Sequence, residues 1–197
     1  MTLRSRNVVY LTHPEVDIDP AIPIPDWGLD AVGQARVDTL ISRLSPNENA
    51  QIIASAERKA IDAAGPLAGL TSKALVVRPG MHENDRSATG YLPRLEFEAT
   101  ADAFFANPTV SVRGWERAVD AQTRIVGEVE TALSGFPEND LFFVGHGGVG
   151  TLLYCHLAGL PIDRRWDQQG CGQWFRFTAA DRIPQSHWQS MEALTSI

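Results

Sequence analysis

Cysteine is scarce in this chain. Cys155 and Cys171 are the only two in 197 residues, too few for a scaffold stapled by disulfides, and no Cys/His cluster has the spacing of a zinc site. No apolar run approaches the roughly 20 residues needed to cross a bilayer as a helix. The opening Met1-Thr2-Leu3-Arg4-Ser5-Arg6 lacks the apolar centre of a secretory signal. Positive charge is also in short supply: 17 Lys and Arg stand against 24 Asp and Glu, a formal net charge of -7. That balance argues against general affinity for nucleic acid or anionic membranes, while leaving room for a local basic pocket. There is no Gly-x-Ser-x-Gly elbow for a serine hydrolase using Ser55 or Ser111. The first apolar run is followed by Thr-His-Pro, not by the glycine-rich turn of a dinucleotide-binding fold. Repeats, low-complexity tracts and an interdomain linker are missing too. These absences predict a soluble, reduced, cytoplasmic protein made of one domain, 1–197, with no nucleic-acid or membrane partner.

What is present is an alternation of short apolar runs and helical patterns. Val8 to Leu11, Gln51 to Ala54, Ala74 to Val77, Leu141 to Val144 and Gln173 to Phe177 read as strands. A Pro-rich loop, Pro20 to Trp27, precedes a helix from an Asp30 N-cap to Leu44, with Val32, Val37, Leu40, Ile41 and Leu44 on its apolar side. Ser45-Pro46-Asn47 should break it. A second helix is expected over 56–64, stopped by Gly65-Pro66, and further helices over 115–133 and after His146. The stretch 78–111 reads as a loop-rich cap holding a short helix around 96–105. This order predicts an α/β three-layer sandwich: a mostly parallel central sheet with helices on both faces.

Two histidines close two of the apolar runs. Val8-Val9-Tyr10-Leu11 leads to Thr12-His13-Pro14, and Leu141-Phe142-Phe143-Val144 leads to Gly145-His146-Gly147-Gly148. Ligands of open α/β sheets bind outside the carboxyl ends of the strands. If the two strands are neighbours, the imidazoles converge there, an arrangement suited to a phosphoryl group. His156, on an apolar helix, reads as a packed histidine. Cys171, between two glycines, has no acid–base pair to make it catalytic.

Val144 to Val149 resembles the second-histidine motif of the histidine phosphatase (phosphoglycerate mutase-like) superfamily, and Val8 to Pro14 is similar to its opening strand and nucleophile loop. Leu29 to Ala35 resembles the segment that opens its first helix. Ala54-Ser55-Ala56-Glu57-Arg58-Lys59-Ala60 resembles its strand-to-helix turn, and His82-Glu83-Asn84 falls in the region of its acidic residue. The resemblance implies a phosphoglycerate mutase-like fold and hydrolysis of a phosphomonoester. His13 would form a transient phosphohistidine, and Glu83, with His82 or Asp85 as alternatives, would serve as acid and then base. His146 and the N–H groups of Gly147 and Gly148 would hold the phosphoryl oxygens. It implies no metal or organic cofactor and, as partner, a small phosphorylated substrate or a phosphoprotein; a homodimer is compatible with it.

The departures from the family pattern are as informative. Thr12 and Pro14 replace the Arg and Gly that flank the family's nucleophile. Lys59 falls where the second phosphate-binding Arg is normal, with Arg58 beside it. Thr12, Arg58, Lys59, Arg86 and Gly147 are therefore the candidate phosphate contacts, with Arg78 or Arg86 available to replace a missing cation. Two alternatives follow: a catalytically weakened member that binds a phosphorylated ligand or protein, or a phosphomutase.

Overall fold

The structure is a computed structural model that describes residues 6–45 and 47–196. Pro46 of the expected breaker and residues 1–5 of the opening stretch lie outside the described residues. Among the described residues six strands form one mixed sheet: β1 (Asn7–Thr12), β2 (Ala50–Ser55), β3 (Val76–Arg78), β4 (Asp140–Gly145), β5 (Gln173–Thr178) and β6 (Gln189–Ser190), in the order β3-β2-β4-β1-β5-β6. The pairings among the first four are parallel, and β5 pairs antiparallel with both β1 and β6. Among the described residues five α-helices accompany them: α1 (Ala31–Arg43), α2 (Arg58–Ala68), α3 (Arg94–Ala106), α4 (Ala118–Gly135) and α5 (Gly147–Leu157).

Alternation along the strands divides the core in two. Val8, Tyr10, Ile53 and Phe143 face α4 and α5, while Val9, Leu11, Ile52, Phe142 and Val144 face α1 and α2. Because β1 and β4 are covered on both sides, their runs are continuously apolar rather than alternating, which is why both are conspicuous in the sequence. The three-layer architecture is the expected one.

Local differences have local causes. Asp30 caps α1 through a bond from the Gly33 N–H at 2.7 Å. Gly33 itself is required, because a Cβ there would lie 2.2 Å from the Glu15 carbonyl oxygen. Of the five apolar residues assigned to α1, Val37, Leu40 and Leu44 are buried but Val32 is 57 % exposed. The helix expected to stop at Gly65-Pro66 runs on to Ala68 with Pro66 inside it. Pro66 lies in the last turn, where the missing N–H forfeits one hydrogen bond, and the extra turn carries Leu67 into the core. The short helix expected over 96–105 occupies 94–106 and sends Phe104 and Phe105 into the core. α4 starts at Ala118, not 115, because Trp115 belongs to a preceding tight turn and is buried with Phe97 and Phe104. His156 is exposed rather than packed. Among the described residues no helix is long and apolar enough to cross a membrane.

Candidate active site

The carboxyl ends of β1, β2 and β4 meet at one place. Thr12 lies opposite Gly145 in the sheet, and the His13 N–H donates to the Gly145 carbonyl at 3.0 Å. The next residue in each strand exit is therefore a histidine, and the His13 and His146 rings pack edge to face with centroids 5.3 Å apart. Tyr10, buried in the strand below, holds the second histidine by its backbone: its hydroxyl accepts from the His146 N–H and donates to the His146 carbonyl, both at 3.2 Å.

Hydrogen bonds set the ring protonation. His13 Nδ1 lies 2.8 Å from the Pro14 carbonyl. A carbonyl only accepts, so Nδ1 carries the proton and Nε2 keeps its lone pair. His146 Nε2 lies 2.8 Å from Ser55 Oγ. Ser55 Oγ also accepts the Glu57 N–H at 3.3 Å. The other ring nitrogen, His146 Nδ1, is buried with no partner among the described residues. Burial, reinforced by the neighbouring His146, pushes the His13 pKa down to about 3. Burial also lowers His146, although Glu57 and Glu83 pull the other way. Both rings are neutral at pH 7.

Glu83 supplies the cap that α5 lacks locally. Its carboxylate accepts from the N–H groups of Gly148 at 3.0 Å and Val149 at 2.9 Å, and from the Asn84 N–H at 3.0 Å. Burial works to raise its pKa, but His146 and Arg86 outweigh this and the net shift is downward. The residue expected as the acid is thus seated as a carboxylate, and the Gly148 N–H expected to bind phosphate is already taken by it.

The remaining candidates separate. Arg86 lines the same cavity of about 550 Å³ as His13, Glu83, Gly147 and Gly148, with its guanidinium over the Phe97 and Trp115 rings. Arg58 is two-thirds exposed and pairs with Asp62 at 3.7 Å, away from that cavity. Lys59 is buried, donates to the Ile24 carbonyl at 2.9 Å and forms an ion pair with Glu57. Thr12 is fully buried; its hydroxyl lies 2.7 Å from Gln168 Oε1 and accepts the Gln173 N–H at 3.0 Å, so it ties β1 to the β5 approach. Arg78 forms an ion pair with Glu128 on α4. His82 and Asp85 line a neighbouring cavity of about 600 Å³ together with Glu57 and Glu83.

Sequence reasoning missed Glu57, Asp167 and Gln168. Glu57 stands two residues after Ser55 in a quoted motif, and its charge in a strand-to-helix turn was the available signal. Its Oε1 lies 3.6 Å from His146 Nε2 and accepts the Glu83 N–H at 2.8 Å. Burial opposes ionisation there, but His146 and Lys59 overcome it and hold the carboxyl down to about 2. Asp167 lines the His13 cavity, bonded to the Thr151 hydroxyl at 2.7 Å, with its pKa raised by burial. Its sequence neighbourhood carries no distinguishing pattern.

Comparison with known proteins agrees with this geometry. The family model of the histidine phosphatase superfamily (branch 1) matches residues 21–181. The structure is similar to the mycobacterial glucosyl-3-phosphoglycerate phosphatase, with TM-score 0.75 and 21% identity over 94% of this chain and 97% of that one. It is also similar to the Entamoeba histolytica phosphoserine phosphatase in complex with 3-phosphoglyceric acid, with TM-score 0.75 and 15% identity over 95% and 99% of the two chains. A mutant of that phosphatase in complex with phosphoserine gives TM-score 0.78 at 14% identity, over 95% and 99%. No curated protein sequence matches the chain. At these identities the solved structures speak for the fold, and the family match, which spans most of the chain, speaks for descent: the chain belongs to branch 1 of the histidine phosphatase superfamily.

Proposed function

We propose that the protein is a phosphatase that hydrolyses a phosphomonoester, with His13 as nucleophile. The observation that carries this reading is the His13 ring: Nδ1 is fixed by the Pro14 carbonyl at 2.8 Å, so an unprotonated Nε2 is left beside His146 in a cavity lined by Glu83 and Arg86. His13 Nε2 attacks phosphorus in line, giving a phosphohistidine. The His146 ring and the Arg86 guanidinium stabilise the phosphoryl oxygens as charge builds on them. Glu83, seated as a carboxylate, takes up the proton that a monoanionic phosphomonoester brings, hands it to the leaving oxygen, and then takes one from the attacking water. The names of the structural neighbours support a small phosphorylated metabolite as substrate, and we assign 78–111 as the cap over it. Two free cysteines support a reducing, cytoplasmic location. A phosphomutase would share each step up to the phosphohistidine and differ only in the acceptor.

A second reading rests on a specific observation. Thr12 supplies no cation and Lys59 is paired with Glu57, so the floor of the site is poorer in positive charge than the family pattern. A slow enzyme, or a binder of phosphorylated ligands, would follow. Hydrolysis of an aryl phosphate by wild type and His13→Ala, from pH 5 to 8 without added metal, separates the readings. Turnover that disappears with His13→Ala supports the phosphatase. Equal turnover in both refutes it, and phosphate binding without turnover selects the binder.

A further inference from the structure

We propose that Glu57 is a specificity-determining residue which sets the charge of the phosphoryl group the site accepts: the monoanion of a phosphomonoester rather than the dianion. The inference rests on the phosphatase reading above. Glu57 is 7 % exposed, yet its carboxylate reaches three partners at the floor of the site: Lys59 Nζ, the Glu83 N–H at 2.8 Å and His146 Nε2 at 3.6 Å. It does what a phosphate oxygen would otherwise do, consuming the buried lysine's charge from inside the protein.

The charges around it can be counted. Lys59 comes from α2 and His146 from the β4–α5 junction, and the Tyr10 hydroxyl from β1 lies behind that histidine. Glu83 and Arg86 come from the segment after β3, with His82 and Asp85 on the same cavity wall. Lys59 and Arg86 are balanced by Glu57 and Glu83, both site histidines are neutral, and on the rest of the His13 cavity wall Arg94 and Arg164 stand against Glu98 and Asp167. A dianion entering this floor meets no net positive charge, whereas a monoanion adds one negative charge and brings a proton.

That proton has a receiver. Glu83 sits as a carboxylate, so the hydrogen of the bound ROPO3H⁻ can pass to it. His13 Nε2 then forms a bond to phosphorus, the P–O bond to the alcohol breaks, and the alcohol oxygen leaves with the proton from Glu83. In the second half water attacks phosphorus, its proton goes to Glu83, the N–P bond breaks, and phosphate leaves as the monoanion once Glu83 returns the proton.

The test is competitive inhibition by inorganic phosphate from pH 5 to 8.5, for wild type, Glu57→Gln and Glu57→Asp. Wild-type affinity should fall by up to about tenfold per pH unit as H2PO4⁻ gives way to HPO4²⁻ across and above neutral pH. Glu57→Gln frees the Lys59 charge and should lose this slope, binding phosphate at least about tenfold more tightly than wild type at pH 8. Glu57→Asp should restore the slope. Parallel profiles for wild type and Glu57→Gln would overturn the inference while leaving the His13 chemistry intact. So would wild-type affinity that rises with pH, a readout that needs no variant to fold. Failure of wild type to bind phosphate at any pH, with equal turnover by wild type and His13→Ala, would overturn both this inference and the phosphatase reading.

Discussion

Gly148→Ala puts two effects in direct competition. Gly148 is the second residue of α5, and alanine there should favour the helix by about 1 kcal/mol. The added Cβ, however, would lie 2.7 Å from Glu83 Oε1 and 3.2 Å from its carboxyl carbon. The carboxylate must move, and it is the acceptor for the Gly148 and Val149 N–H groups at 3.0 and 2.9 Å. Hydrogen bonds to a charged group contribute about 1.5–3 kcal/mol each, and the stranded N–H groups are expensive to leave unpaired. Partial recovery through water still leaves the loss larger than the gain, so Gly148→Ala should destabilise by about 2 kcal/mol. The cost in turnover should be greater, about 10²-fold or more in kcat/KM, because a general acid–base group displaced by an ångström loses its alignment. Urea denaturation gives the first quantity and aryl phosphate kinetics the second. A variant stabilised by the full helix increment with unchanged kcat/KM would refute the seating of Glu83 on α5.

Three other outcomes follow from the same geometry. Arg86→Ala should raise KM for an aryl phosphate and the inhibition constant of phosphate by about tenfold or more, the loss of one charged hydrogen bond; unchanged constants would remove Arg86 from the site. Thr12→Arg should not restore the family clamp: the side chain is fully buried against Gln168 and Gln173, so overpacking should cost about 1–3 kcal/mol in a thermal or urea melt, and a large gain in turnover would contradict this. The two site histidines bear on acid stability. Burial holds both folded pKa values below the unfolded value of about 6.5, so the unfolded chain binds protons first. Their contribution is whole above pH 6.5 and is lost as pH falls from there toward 3. Melting curves between pH 7 and 4 should show this decline, and His13→Asn should flatten it.

The two strand exits were legible because β1 and β4 are buried on both faces, so their runs stand out whatever surrounds them. Helix ends were less so: Pro66 marks a stop only where no buried residue follows, and Leu67 follows. β6 is two residues long and carries no pattern. At the site, Arg58 and Lys59 could not be told apart by sequence, since neighbours on a helix point about 100° apart and only tertiary packing decides which turns inward. Burial takes Lys59 and leaves Arg58 to solvent. Glu57 escaped because its partners Glu83 and His146 are distant in sequence. Thr12, read as a candidate phosphate contact, is bonded to Gln168 and Gln173 and so also ties β1 to β5.

The placement of β1 has a consequence for synthesis. Its two neighbours in the sheet are β4 and β5, beginning at Asp140 and Gln173. At about 5–20 residues per second the ribosome needs roughly 7–27 s to travel from Val8 to Leu141. For that interval Val8-Val9-Tyr10-Leu11, fully covered in the finished protein, has no strand to pair with. The segment that ends in the proposed nucleophile is thus the one longest in need of protection during translation, and the site is assembled among the last parts of the fold.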